Sequence, residues 1–88
     1  MKIDVYDSYS QSAEGQLMHF DVLVAAGTSQ QQAHQYGQQW LVSIGAVSTD
    51  LKLSRCNFCH SEMANPEVAQ EITRNGYFIL KMQGCPGV

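Results

Sequence analysis

Two stretches near the N-terminus alternate apolar and polar residues, and this period-2 pattern is the strongest limit on what the chain can become. From Lys2 to Tyr9, Ile3 and Val5 fall on one side and Asp4 and Tyr6 on the other; from Gln16 to Val24, Met18, Phe20, Val22 and Val24 share a side. Successive side chains of a strand point to opposite faces, so each stretch reads as a half-buried strand. The intervening Ser10 to Gly15, made largely of Ser, Gln, Glu and Gly, suits the connection of a hairpin. The expected core face of that hairpin carries Ile3, Val5, Phe20 and Val22.

The period changes after Ala25-Ala26-Gly27. Thr28 or Ser29 can cap a helix with its hydroxyl, and Gln31 or Gln32 can reach back to the cap. Ala33, Tyr36, Trp40, Leu41 and Ile44 then fall at helical spacing, with Trp40 as anchor, and Gly45 can supply the left-handed residue that ends the helix. The glutamines between Gln30 and Gln39 lie mostly off this stripe and form a solvated face. Leu51 to Arg55 reads as a short third strand. Asn65-Pro66-Glu67 is a strong helix start, Val68, Ala69 and Ile72 give that helix a buried face, and Asn75-Gly76 stops it. Tyr77 to Gln83 is a fourth strand, followed by a turn-like tail.

With no internal repeat or linker, the expectation is one α+β domain spanning residues 1–88, in the order ββαβαβ. The expected architecture is a two-layer sandwich: a four-stranded mixed sheet with both helices on one face. If each helix is a crossover between neighbouring strands, strands two, three and four run parallel. Cys56, Cys59 and Cys85 would then leave the same sheet edge, with His19 towards the opposite one.

The chain has 88 residues, 44% apolar and 15% charged, which favours a folded core and one domain. Its formal charge of −3 argues against nucleic acid and anionic membrane surfaces, which select basic patches. No apolar run approaches the length of a membrane span, and acidic residues interrupt the N-terminal apolar ones, so a soluble, cytoplasmic protein is expected. An odd number of cysteines in a reducing compartment favours thiols or metal ligands over a disulfide framework. A homodimer or a protein partner is compatible with an exposed strand edge.

The chemically distinctive feature is Cys56-Asn57-Phe58-Cys59-His60, with Cys85 near the end. Cys-x-x-Cys-His is the attachment pattern of c-type haem, but that chemistry belongs to exported helical domains, which this chain does not resemble. Two thiolates separated by two residues can also form half of a zinc site; Cys56, Cys59, His60 and Cys85 would make a Cys3His set, with His19 a less favoured ligand. A dithiol redox centre using Cys56 and Cys59 is the alternative, although the activating helix N-terminus is missing, since the next helix begins about seven residues after Cys59. The competing structural account is that the cysteines are small buried apolar residues. His19 and Asp21 share the strand-two face opposite Phe20, where a His beside a carboxylate can act as a base, yet no nucleophile or phosphate loop accompanies them. His34 belongs to the exposed glutamine-rich face.

The segments Val5-Tyr6-Asp7-Ser8-Tyr9, Met18-His19-Phe20-Asp21-Val22, Cys56-Asn57-Phe58-Cys59-His60-Ser61-Glu62 and Gly76-Tyr77-Phe78-Ile79-Leu80 together resemble a bacterial family of small proteins, the domain-of-unknown-function family numbered two thousand and twenty-four. The resemblance spans nearly the whole chain and implies a compact α/β domain. It implies no reaction, substrate or cofactor. The function expected from the sequence is therefore that of a non-enzymatic binding or interaction domain with a Cys/His metal site, zinc being the candidate ion, or else a thiol-disulfide redox protein.

Overall fold

A computed structural model describes residues 1–11, 17–44 and 53–85. The elements are β1 (Lys2–Gln11), β2 (Leu17–Ala25), α1 (Gln30–Ser43), β3 (Leu53–Met63), α2 (Pro66–Asn75) and β4 (Tyr77–Gln83). The order is the expected one, and the local signals account for it. Ser29 caps α1 by accepting a hydrogen bond from the Gln32 N–H, Asn65 caps α2 by accepting one from the Val68 N–H, and Pro66 opens α2 without sacrificing a needed donor. Gly76, at φ 92°, ends α2 in the left-handed region that costs a glycine least. The expected stop at Gly45 and the start of the third strand at Leu51 lie outside the described residues.

The strands form one sheet in the order β3-β1-β2-β4, and every neighbouring pair is antiparallel. The expected mixed sheet is therefore corrected. The helices connect strands that are not neighbours: α1 leads from β2 past β1 to the edge strand β3, and α2 leads from there to the opposite edge, β4. A helical connection thus imposes parallel neighbours only when the two strands it joins lie side by side.

The single-faced sandwich is corrected as well. In the β1–β2 register Ile3 pairs with Ala25, Val5 with Leu23 and Tyr6 with Val22, so odd residues of both strands share one face and even residues the other. Tyr6, Phe20, Val22 and Val24 pack with Ala33, Trp40 and Leu41 of α1, whereas Ile3, Val5 and Leu23 pack with Val68 and Ile72 of α2. The helices therefore cover opposite faces. Ile3 and Val5 do not share a core face with Phe20 and Val22, because the contiguous run Val22-Leu23-Val24 is buried on both sides. On the α1 side the rings of Phe20 and Trp40 stand 4.8 Å apart, which confirms Trp40 as the anchor.

α2 is short and buries only Val68 and Ile72 fully, over the half of its face formed by Ile3, Val5 and Leu23. Continuing along the same face, the paired residues become Asp7 with Asp21 and Tyr9 with His19. This second half of the α2-side face is polar and carries the chemistry.

Candidate functional site

Asp7 on β1 and Asp21 on β2 are direct partners across the central strand pair. Like charges placed directly opposite each other destabilise a sheet. The neighbouring pair supplies compensation: His19 Nε2 lies 2.5 Å from Asp7 Oδ1, and the His19 ring stacks on Tyr9 with centroids 4.4 Å apart and planes 6° apart. An ionised carboxylate only accepts, so the His19 Nε2–H donates to Asp7. Stacking on Tyr9 holds the imidazole in plane for that contact. Burial, and then the charge of Asp7 opposite, push the Asp21 carboxyl above its ordinary pKa, while His19 and His60 pull it back.

One ligand atom from each of Asp7, His19 and Asp21 lies within 4.8 Å of the others, and all three side chains are half-buried. Ligands bound tetrahedrally at about 2.0–2.2 Å stand about 3.4 Å apart, so a divalent ion requires a small outward adjustment of the Asp7–His19 contact and displacement of the Nε2 proton. Two carboxylate oxygens and one imidazole nitrogen suit manganese, iron or zinc and leave coordination positions open to solvent.

The residues expected to form a Cys3His site are not gathered. The segment Cys56 to His60 is not a loop after a strand; it lies within β3, paired with β1. Cys56 opposes Ser8, is 4% exposed and faces the α1 core. Burial pushes its thiol pKa up, against the smaller opposite effect of the Ser8 hydroxyl. Cys85 is buried just beyond β4, at the other edge of the sheet, three inter-strand spacings of about 4.8 Å from β3. Its Sγ donates to the His19 carbonyl at 3.4 Å, so Cys85 lies beside His19 rather than away from it. Burial raises its pKa too, and the Met82 backbone and Lys81 oppose that only in part. In the metal-free protein burial thus favours the thiol form of both sulfurs, whereas zinc binding and attack on a disulfide use the thiolate.

Cys59 and His60 are exposed and adjacent. The β1–β3 register shifts between Val5 and Tyr6, so that His60 opposes Val5, Phe58 opposes Tyr6, and Cys59 is the extra residue of a β-bulge. Consecutive side chains of a regular strand diverge, whereas here Cys59 Sγ meets His60 Nδ1 at 3.3 Å. His60 Nε2 in turn meets Glu62 Oε1 at 3.0 Å. The bulge thus adds a thiol–imidazole–carboxylate chain on the edge strand, with His60 and Glu62 opposite Val5 and Ile3 at the apolar end of the same face.

Asp7 and Glu62 escaped the sequence reading. The pattern held a signal for Asp7: pairing Ile3 with Ala25 across a short connection puts Asp7 opposite Asp21, a like-charge pair that no structural role favours. His34 is exposed on α1, as expected. Among the described residues no helix is long and apolar enough to cross a membrane.

The comparison with curated proteins gives no match. Among solved structures, the NMR structure of protein NE1680 from Nitrosomonas europaea, a structural-genomics target, is similar, with 44% sequence identity, coverage of 97% of this chain and 99% of that one, and a TM-score of 0.83. Residues 1–82 match the model of the family described as a domain of unknown function, DUF2024, and the chain belongs to that family.

Proposed function

We propose that this protein is a non-enzymatic binding domain whose ligand is a divalent first-row cation, held by Asp7, His19 and Asp21 on the open half of the sheet. The observation that carries the reading is the direct opposition of Asp7 and Asp21 on the two central strands, beside a histidine. A fold that only had to be stable would place one apolar or oppositely charged residue there; a pair of carboxylates makes sense when a cation neutralises both. Tyr9 stacks on His19 and fixes the ring as a partner of a ligating histidine does. No nucleophile stands among these three residues, which supports binding rather than turnover. The net charge of −3 supports a partner other than nucleic acid, and three free thiols accord with a cytoplasmic location.

Calorimetric titration of the metal-free protein with zinc and with manganese tests this reading. One cation per chain is expected, and binding should be lost in His19→Ala and Asp21→Asn but kept in Cys56→Ala and Cys85→Ser. Binding that vanishes with Cys85→Ser and survives His19→Ala would overturn it in favour of a thiolate site.

A further inference from the structure

We propose that Cys59 is a nucleophilic thiol that exchanges with low-molecular-weight disulfides, with His60 as proton acceptor and Glu62 as the residue that positions His60. None of its three residues is a ligand of the cation site, so the inference does not require that site.

The contacts select one neutral tautomer of His60. Glu62 can only accept, so Nε2 carries the proton and donates to Oε1 at 3.0 Å; Nδ1 is then a lone pair facing Cys59 Sγ at 3.3 Å, where it accepts from the S–H. Nucleophile, base and orienting carboxylate are thereby in the order that activates a cysteine. Their assembly depends on the bulge, without which Cys59 and His60 would point to opposite faces of β3. All three residues are exposed on an edge strand, so a small disulfide reaches the sulfur without disturbing the fold.

In the reaction the Cys59 S–H proton passes to His60 Nδ1, and the thiolate attacks one sulfur of a disulfide RSSR in line with its S–S bond. The new Cys59–S–S–R bond forms as the old one breaks; the leaving RS⁻ takes the proton from His60 and departs as RSH. Cys59 sulfur is oxidised, the departing sulfur is reduced, and no other reactant is consumed. The product persists as a mixed disulfide because no second thiol resolves it: Cys56 is 4% exposed and faces the α1 core, and Cys85 is buried at the opposite edge. The pattern Cys-x-x-Cys therefore serves here as one reactive and one packing cysteine, and the modification is reversed by an external thiol.

The test incubates the folded, full-length protein with glutathione disulfide at neutral pH and follows site occupancy by mass spectrometry of proteolytic fragments. Modification is expected at Cys59 alone. His60→Ala should slow it about tenfold or more, the low end for loss of a positioned base, and added free imidazole should restore part of the rate. Glu62→Gln should slow it several-fold and displace its rate–pH profile upward, a change that a purely structural residue would not produce. Matched thermal melts show that the exposed substitutions leave the fold intact. Equal rates in wild type and His60→Ala, or formation of a Cys56–Cys59 disulfide, would overturn the proposal.

Discussion

Replacing Asp21 with Asn separates the cost of the charge pair from its use. The amide keeps the size of the carboxyl and can donate to Asp7, so the cross-strand contact survives while its repulsion is removed. Directly opposed like charges cost about 0.2–1 kcal/mol, and burial adds to the penalty here, so at pH 7 without metal the variant should be about 0.5–1 kcal/mol more stable than wild type. For a domain of this size that corresponds to a rise in Tm of roughly 3–6 °C. The sign of the pH dependence follows from the raised pKa of Asp21. Its ionised form is disfavoured in the folded state, so wild-type stability falls as pH rises from about 4 through the folded pKa, and the advantage of the variant should open over that interval and be small at pH 4. A cation at one hundred times its Kd adds about 2.7 kcal/mol to whichever protein binds it, so zinc or manganese should reverse the order and leave wild type roughly 2 kcal/mol ahead. Thermal melts at pH 4 and 7, with and without the cation, provide the whole comparison. A variant less stable than wild type at pH 7 without metal, or one that gains as much from the cation, would refute the reasoning.

Four further substitutions test the frame that holds the site. Gly84→Ala should destabilise more than Gly27→Ala, measured by urea denaturation: both glycines have positive φ, at about 1–2 kcal/mol of strain for another residue, but a Cβ on Gly27 meets nothing within 4 Å, whereas one on Gly84 overlaps the Leu17 carbonyl oxygen. Asn65→Ala removes the acceptor for the Val68 N–H and should cost about 1 kcal/mol, seen as faster amide exchange in the first turn of α2 with α1 unchanged. Ser61→Ala removes the hydroxyl that is the main cause of the lowered pKa of Asp4, ahead of the Gly27 N–H. A depressed folded pKa contributes stability above the unfolded value that is lost as pH falls through the folded one, so the variant should be weaker than wild type at pH 7 and approach it as the pH falls from the ordinary carboxylate range through the folded pKa of Asp4.

What the sequence determined by itself is local. The alternation of Lys2–Tyr9, the caps at Ser29 and Asn65, the proline at the first turn of α2 and the left-handed stop at Gly76 act over a few residues, through backbone sterics and short hydrogen bonds, and they set the type and order of the elements. The placement of His19 with Asp21 on one strand face followed from the same period. Tertiary structure decided everything that depends on partners far along the chain. Pairing Lys2 with Met63 drew Cys56 to His60 into an edge strand, although the local pattern ends that strand at Arg55, and the bulge in that pairing turned Cys59 towards His60. The β1–β2 register set Asp7 against Asp21, and the two helices took opposite faces because both parities of β2 are apolar. The thiol pattern was legible in five consecutive residues, but its division into one buried and one exposed cysteine was not, since burial is conferred by α1 packing over β3 and leaves no local mark.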